Sequence, residues 1–320
     1  STTTADANLS GTLSAEDVDS ETLTYGIEDG TTSGTTVTKI GTYGTLTLDT
    51  ASGAYEYTKN SAVIEALDDT ESGTDTFVFT VTDGDDALVT QSFSISVTGA
   101  DDVPTLVDPA DGTIAEDDQA STTTDTNLSG TLSAGDVDVE TLTYGIEDGS
   151  TTGTTVTKIG TYGTLTLNTE TGVYSYAKNA AVIEALDDTE SGTDTFVFTV
   201  SDGDDALVTQ SFSVSVTGAD DVPTLVDPAD GTITEIDQST TTADANLSGT
   251  LSAEDVDSET LTYGIEDGTT SGTTVTKIGT YGTLTLNTET GVYGYTKNSA
   301  AIEALDDTES GTDTLSLIHI

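Results

Sequence analysis

The stretch Ser72-Gly73-Thr74-Asp75-Thr76-Phe77-Val78-Phe79-Thr80-Val81-Thr82-Asp83-Gly84 sets Phe77, Phe79 and Val81 at period two against hydroxyl residues. That spacing puts the three apolar side chains on one face of an extended chain, and the Asp-Gly step closes the run with a turn signal. The stretch returns almost unchanged at Ser191–Gly203. Its neighbours read the same way. Phe93, Ile95 and Val97 alternate, as do Leu23, Tyr25 and Ile27, and Leu46 pairs with Leu48 as Tyr55 does with Tyr57. Only Ala62 to Leu67 has helical spacing, enough for a single turn. About seven such strands between Gly, Asp and Asn punctuation predict an all-β, Greek-key sandwich of immunoglobulin-like kind.

Working outward, the same phrases recur with a fixed period. Leu9, Leu128 and Leu247 occupy one NLSGTLSA phrase and lie 119 residues apart, as do Tyr25, Tyr144 and Tyr263. A period of that length is a whole domain rather than a solenoid coil. The phrase Gly99-Ala100-Asp101-Asp102-Val103-Pro104 recurs at Gly218–Pro223, and its proline marks a strand end. The expected units, arranged end to end, are 1–103, 104–222 and 223–314. The central unit is whole, the first lacks its opening strand and the third its closing strands. Leu315 to Ile320 break the repeat where a Phe-Val-Phe-Thr-Val strand is due. The hexapeptide resembles a translated sequencing-library transposon end and is read as a non-native tail. That removes His319, the one histidine, from functional consideration.

Composition narrows the chemistry. Six lysines face 58 acidic residues for a net charge of −52, and there is no arginine. Such a field repels phosphates and anionic lipid, which excludes nucleic acid and membrane surfaces as partners, and it favours hard cations. With no Cys there is no disulfide staple, and no apolar run reaches membrane-spanning length. A hydrophobic content of 33% supports only a thin core per unit.

The sharpest chemical constellation is Asp17-Val18-Asp19 ahead of the Leu23–Ile27 strand, repeated as Asp136 with Asp138 and Asp255 with Asp257. Two carboxylates two residues apart in a loop can converge on one cation, though Ca²⁺ needs about six to eight oxygens. The alternative is that each Asp simply makes an Asx turn. An EF-hand fails here, because Thr22 stands where the loop needs Gly and a strand pattern follows. No nucleophile–His set can be built, so no catalytic residue is assigned and the chain is not read as an enzyme. Tyr43, Tyr55 and Tyr57 could line a sugar platform, but such tyrosines more often pack in a core.

The phrase Ala15-x-Asp17-x-Asp19 followed by Tyr25-x-Ile27, the run Phe77 to Gly84 and the linker Asp101–Pro104 resemble the cadherin repeat. GTYGTLTLDT, AYEYTKN and SGTDTFVFTVTDG are similar to the VCBS-type, bacterial cadherin-like repeats of large secreted RTX-type adhesins. The resemblance implies Ca²⁺ held at domain junctions. One junction would use Asp101, Asp102, Asp136, Asp138 and Asp202, and the next Glu116, Asp220, Asp221, Asp255 and Asp257. Asp17, Asp19, Asp83 and Glu235 are the equivalent ligands toward the two ends. Asp68, Asp69 and Glu71 are possible substitutes for a mid-domain acidic signature that is not recognisable. Each junction is expected to lack part of its set, since the first unit has no counterpart of Glu116 and the third none of Asp202.

The resemblance further implies spacer repeats of a secreted bacterial surface adhesin that serve cell adhesion or biofilm formation. Their partners would be the neighbouring repeats and a surface glycan or protein receptor. The alternatives are a glycan- or protein-binding module acting by avidity, or accessory repeats of a secreted enzyme.

Overall fold

A computed structural model of the chain describes residues 7–19, 21–84, 88–116, 127–138, 140–204, 207–235 and 245–319. These residues form strands and loops, with three one-turn helices at Ser61–Ile64, Ala180–Ile183 and Ser299–Ile302. The first helix begins one residue before the Ala62–Leu67 spacing indicates and stops at Ile64.

The central repeat shows the architecture most fully. Its strands are β1 (Thr105–Leu106), β2 (Gly112–Ala115), β3 (Leu128–Thr131), β4 (Ala134–Gly135), β5 (Thr143–Ile146), β6 (Ser150–Thr152), β7 (Thr155–Ile159), β8 (Gly163–Asn168) and β9 (Val173–Lys178). After the helix α1 (Ala180–Ile183) come β10 (Ser191–Ser201) and β11 (Val208–Thr217). One sheet has the order β3-β9-β8-β7-β6 and is antiparallel throughout. The facing sheet has the order β2-β11-β10-β5, with β2 parallel to β11. A two-stranded ribbon, β1 with β4, ties the start of the repeat to the loop that carries Asp136. The strands beyond the expected seven are the short ones, β1, β4 and β6 among them. Two or three residues are too few to display a period.

Alternation puts one face of each sheet inward. Leu165, Leu167 and Tyr176 meet Phe196, Phe198, Val200, Phe212, Val214 and Val216, all of them buried. Tyr174 stacks obliquely on Phe198 with centroids 5.0 Å apart, and Phe212 meets Tyr174 edge-on at 5.4 Å. The core clusters of the first repeat (Ile27 to Ile95) and the third (Leu251 to Leu286) are separate and smaller.

The first repeat keeps its five-stranded sheet, and its second sheet is Thr24–Ile27, Ser72–Thr82 and Val89–Thr98. In the third, Leu317–His319 pairs with Tyr263–Ile265, Ile265 lying opposite Leu317. That register matches Ile146 opposite Phe198 in the central repeat. The tail therefore departs from the repeat in sequence yet occupies its strand, because Leu315 and Leu317 keep the inward alternation and pack on the core.

Candidate functional site at the junctions between repeats

The D-x-D loop is built by its own first carboxylate. Asp136 Oδ1 accepts the Asp138 N–H at 2.8 Å, and Asp255 Oδ1 accepts the Asp257 N–H at 3.0 Å. Asp17 Oδ1 does the same for Asp19 at 2.8 Å and also takes the Glu21 N–H at 3.3 Å. The turn uses one oxygen and leaves the other available. Asp136 Oδ2 and Asp255 Oδ2 are both buried without a hydrogen-bond partner.

The second Asp of each loop receives the linker. The Asp102 N–H donates to Asp138 Oδ2 at 2.7 Å, and the Asp221 N–H donates to Asp257 Oδ2 at 2.8 Å. Asp138 Oδ1, Asp257 Oδ1 and Asp221 Oδ2 remain buried and unpartnered. These contacts anchor the linker to the top of the following repeat.

Around this frame the first junction gathers two adjoining triads. Asp68, Glu140 and Asp204 bring carboxylate oxygens within 4.8 Å of one another, and so do Asp101, Glu140 and Asp202. Asp68 follows the short helix of the first repeat, Asp101 is in the linker, and the rest come from the second repeat. Burial and the Asp204, Asp68, Asp101 and Asp136 carboxylates push Glu140 up to about 7. Asp101 and Asp138 are also raised, by burial first and then by neighbouring carboxylates.

The second junction repeats the pattern. Glu116, Glu184 and Asp221 are all buried with oxygens within 4.8 Å, and Asp187, Asp220 and Glu259 form a more exposed triad. Glu116 Oε2 accepts the Ala219 N–H at 3.0 Å, while Oε1 is buried and unpartnered. Burial raises Glu116 to about 7, with Glu184, Asp257 and Asp221 adding to it against the Ala219 hydrogen bond.

Of the expected ligands, Asp101 and Asp202 share a triad at the first junction, and at the second Glu116 and Asp221 share one while Asp220 belongs to the other. Asp102, Asp136, Asp138, Asp255 and Asp257 frame these triads through the loop and linker hydrogen bonds without belonging to one, and Asp17, Asp19, Asp83 and Glu235 belong to none among the described residues. Of the suggested substitutes, Asp68 is a member, and Asp69 and Glu71 are not. Sequence reasoning missed Glu140 with its counterpart Glu259, and Asp187, Asp204 and Glu184. Glu21, Glu140 and Glu259 extend the D-x-D pair to D-x-D-x-E in all three repeats, a signal that was present. Glu184 lies just after a one-turn helix, and its burial comes from the tertiary fold.

Chemically these are oxygen-only donor sets, and Asp136 Oδ2, Asp138 Oδ1, Glu140 Oε2, Asp202 Oδ2 and Glu116 Oε1 are buried in them without a hydrogen-bond partner. Such groups are costly to bury unless a cation or proton joins them. A hard divalent ion of Ca²⁺ type fits oxygen donors of this kind, and each group brings three carboxylates together.

Residues 101–218 match the model of the bacterial cadherin-like domain, so a cadherin-like repeat is present. No curated protein matches the chain. Among solved structures, human CDH23 EC21-23 is 13% identical with a TM-score of 0.35, over 93% of this chain and 88% of that one. Mouse cadherin-23 EC22-24 is 16% identical with a TM-score of 0.31, over 86% and 76%. Protocadherin gamma B2 extracellular cadherin domains 3-6 is 14% identical with a TM-score of 0.32. This chain covers 63% of that fragment's length, with 93% of its own residues aligned.

Proposed function

We propose that the repeats are spacer modules of a secreted bacterial surface adhesin, stiffened by Ca²⁺ at each junction and serving cell adhesion or biofilm formation. The observation that carries this reading is the placement of orphaned carboxylate oxygens. Asp68 Oδ1, Asp136 Oδ2, Asp138 Oδ1, Glu140 Oε2 and Asp202 Oδ2 are all buried without a partner where the first repeat meets the second.

The chain's own groups set the mechanical behaviour. Asp68 is held by the first repeat, Asp101 by the linker, and Glu140, Asp202 and Asp204 by the second. Ionised together and without a counter-charge they repel, and the linker hinges. Asp68, Asp101, Glu140, Asp202 and Asp204 would hold Ca²⁺ through their carboxylate oxygens, and the ion would supply the positive charge that offsets their repulsion. Asp136 and Asp138 keep the loop rigid through their Asx turn, and the Asp102 N–H fixes the linker to it. The ion-binding oxygens are therefore pre-positioned.

Small-angle scattering of the 320-residue chain tests the reading. The maximum dimension is expected to lengthen and sharpen when calcium replaces chelator, and identical profiles in both would overturn it. A glycan-binding module draws no support from the aromatic rings. None is among the exposed large side chains of the described residues, and Tyr57 and Tyr176 are core residues.

A further inference from the structure

In each repeat the five-stranded sheet buries one face and turns the other to solvent. In the first repeat Leu46, Leu48 and Tyr57 are buried, so their strand neighbours Thr47, Asp49 and Glu56 point outward. Register sets these outward residues in rows across the strands. Ser10 lies opposite Glu56, Glu56 opposite Thr47 and Thr47 opposite Thr38. In the next row Thr12 lies opposite Ala54, and Asp49 opposite Thr36. Together they form an open groove of about 480 Å³, lined by Ser10, Thr12, Thr36, Thr47, Asp49 and Glu56 among others. That volume is within the range of small-ligand sites.

The repeats, otherwise nearly identical, differ on this face. Asp49, Ala51, Ser52, Ala54, Glu56 and Thr58 are replaced in the central repeat by Asn168, Glu170, Thr171, Val173, Ser175 and Ala177. Glu56, Ser175 and Gly294 occupy the one position from Asn8 to Asp75 at which all three repeats differ. Solvent exposure alone does not account for this. On the opposite sheet Thr74, Thr76, Ser92, Ser94 and Ser96 are exposed, yet their counterparts in the central repeat are the same residues. One scaffold therefore carries a different outer groove in each repeat.

The groups in the first groove suit a neutral, polyhydroxylated ligand. Serine and threonine hydroxyls donate and accept, as sugar hydroxyls do. Thr47 Oγ1 donates to the Glu56 carbonyl at 3.2 Å, which orients the hydroxyl and leaves its lone pairs to accept. Both carboxylates are already partly satisfied. Asp49 Oδ1 accepts the Ser52 N–H and hydroxyl at 2.8 Å each and the Ala51 N–H at 3.2 Å. Glu56 Oε1 accepts from Asn8 Nδ2 at 3.3 Å. They offer further lone pairs to hydroxyl groups rather than a bare charge pair, and neither belongs to a cluster that could hold a metal ion among the described residues. The net charge of −52 turns anionic ligands away.

We infer that the outer groove of the first repeat binds a neutral oligosaccharide. Asp49 and Glu56 accept hydrogen bonds from sugar hydroxyls, and Ser10, Thr12, Thr36 and Thr47 exchange hydrogen bonds with them. No aromatic ring is among the exposed large side chains of the described residues, so recognition rests on hydrogen bonding rather than stacking. The site goes beyond the spacer reading and does not depend on calcium, since neither carboxylate is part of a junction triad.

The test is isothermal titration of the 320-residue chain with neutral tetrasaccharides of glucose, galactose, mannose and N-acetylglucosamine. Tetragalacturonate serves as the anionic probe and tetralysine as the cationic one. At least one neutral tetrasaccharide is expected to bind at one site per chain, and tetragalacturonate is not. Asp49→Asn with Glu56→Ser introduces only residues that the central repeat carries at the same positions, so the fold tolerates them. The pair is expected to weaken binding about tenfold or more, the loss of a hydrogen bond to a charged group. Conversely, Asn168→Asp with Val173→Ala and Ser175→Glu rebuilds the groove in the central repeat and is expected to add a second site. The inference is overturned if no neutral tetrasaccharide binds, or if binding is unchanged in the Asp49→Asn, Glu56→Ser chain. Tetragalacturonate binding as well as the neutral sugars would also overturn it. So would tetralysine as the only probe whose binding that variant abolishes, which would make the groove a cation site.

Discussion

Tyr176 Oη donates a 2.7 Å hydrogen bond to Asp194 Oδ2, joining β9 in one sheet to β10 in the other through the middle of the core. Asp194 is 5% exposed and also accepts the Thr161 N–H at 2.7 Å and the Tyr162 N–H at 3.0 Å, both from the β7–β8 turn. The arrangement recurs as Tyr57 with Asp75 and Tyr295 with Asp313. A buried carboxylate with three donors is satisfied, and removing its charge strands those donors. Burial and the Asp194 carboxylate push the Tyr176 hydroxyl far above the ordinary tyrosine range.

Asp194→Asn puts an amide N–H among N–H donors and is expected to cost about 2–4 kcal/mol, against about 1–2 kcal/mol for Tyr176→Phe. Urea unfolding followed by tyrosine fluorescence checks the order. Equal losses would mean that the carboxylate's bonds to the turn carry little.

Glu116 and Glu140, both held up at about 7, give stability a pH signature in chelator. Glutamate in an unfolded chain titrates near ~4.3, so between that value and about 7 the folded chain binds more protons than the unfolded one. Their contribution is fully present below the unfolded value and is lost as pH rises through about 7. In chelator the melting temperature is expected to be higher near about pH 5 than near about pH 8. In millimolar calcium the trend should reverse, since protons and the cation compete for the same oxygens. Melting curves in the two buffers measure both slopes.

Glu140 belongs to both triads of the first junction, and Asp17 belongs to neither junction. Glu140→Gln is therefore expected to weaken calcium binding at one junction about tenfold or more and spare the other, while Asp17→Asn changes neither. Isothermal titration would show one class of sites lost and the remainder intact. An equal effect of the two substitutions would mean that acidity alone, and not these triads, governs binding.

Much of this fold is visible in the pattern of residues, and the site is visible only in part. Phe196, Phe198 and Val200 alternate, and they are buried as that alternation requires. The same alternation carried back two positions puts Asp194 inward, a signal that would have marked it as a structural carboxylate. The pairing of Thr105–Leu106 with Ala134–Gly135 has no local signature, because it joins two dipeptides 29 residues apart. Asp136 and Asp138 announce themselves by spacing, whereas Glu184 meets Glu116 only because β2 runs parallel along β11. Contacts made by a parallel edge strand leave no trace in sequence periodicity.

The β7–β8 turn also leans on the other sheet through Tyr162. A Cβ placed on Gly192 would lie 2.1 Å from Tyr162 Oη and 2.2 Å from Cζ, so the ring rests directly on the β10 backbone. Tyr43 covers Gly73 and Tyr281 covers Gly311 in the same way. Gly192→Ala forces the ring off its seat and is expected to cost about 2–4 kcal/mol, a steric penalty in a packed site. Tyr162→Ala loses the ring's burial but leaves its backbone N–H on Asp194, and should cost a similar amount. Combined, the two changes should cost much less than their sum, because the clash needs both partners. A double-mutant cycle by urea unfolding reads the coupling directly. Additive losses would show that the ring has room to move aside and that the glycine serves some other end.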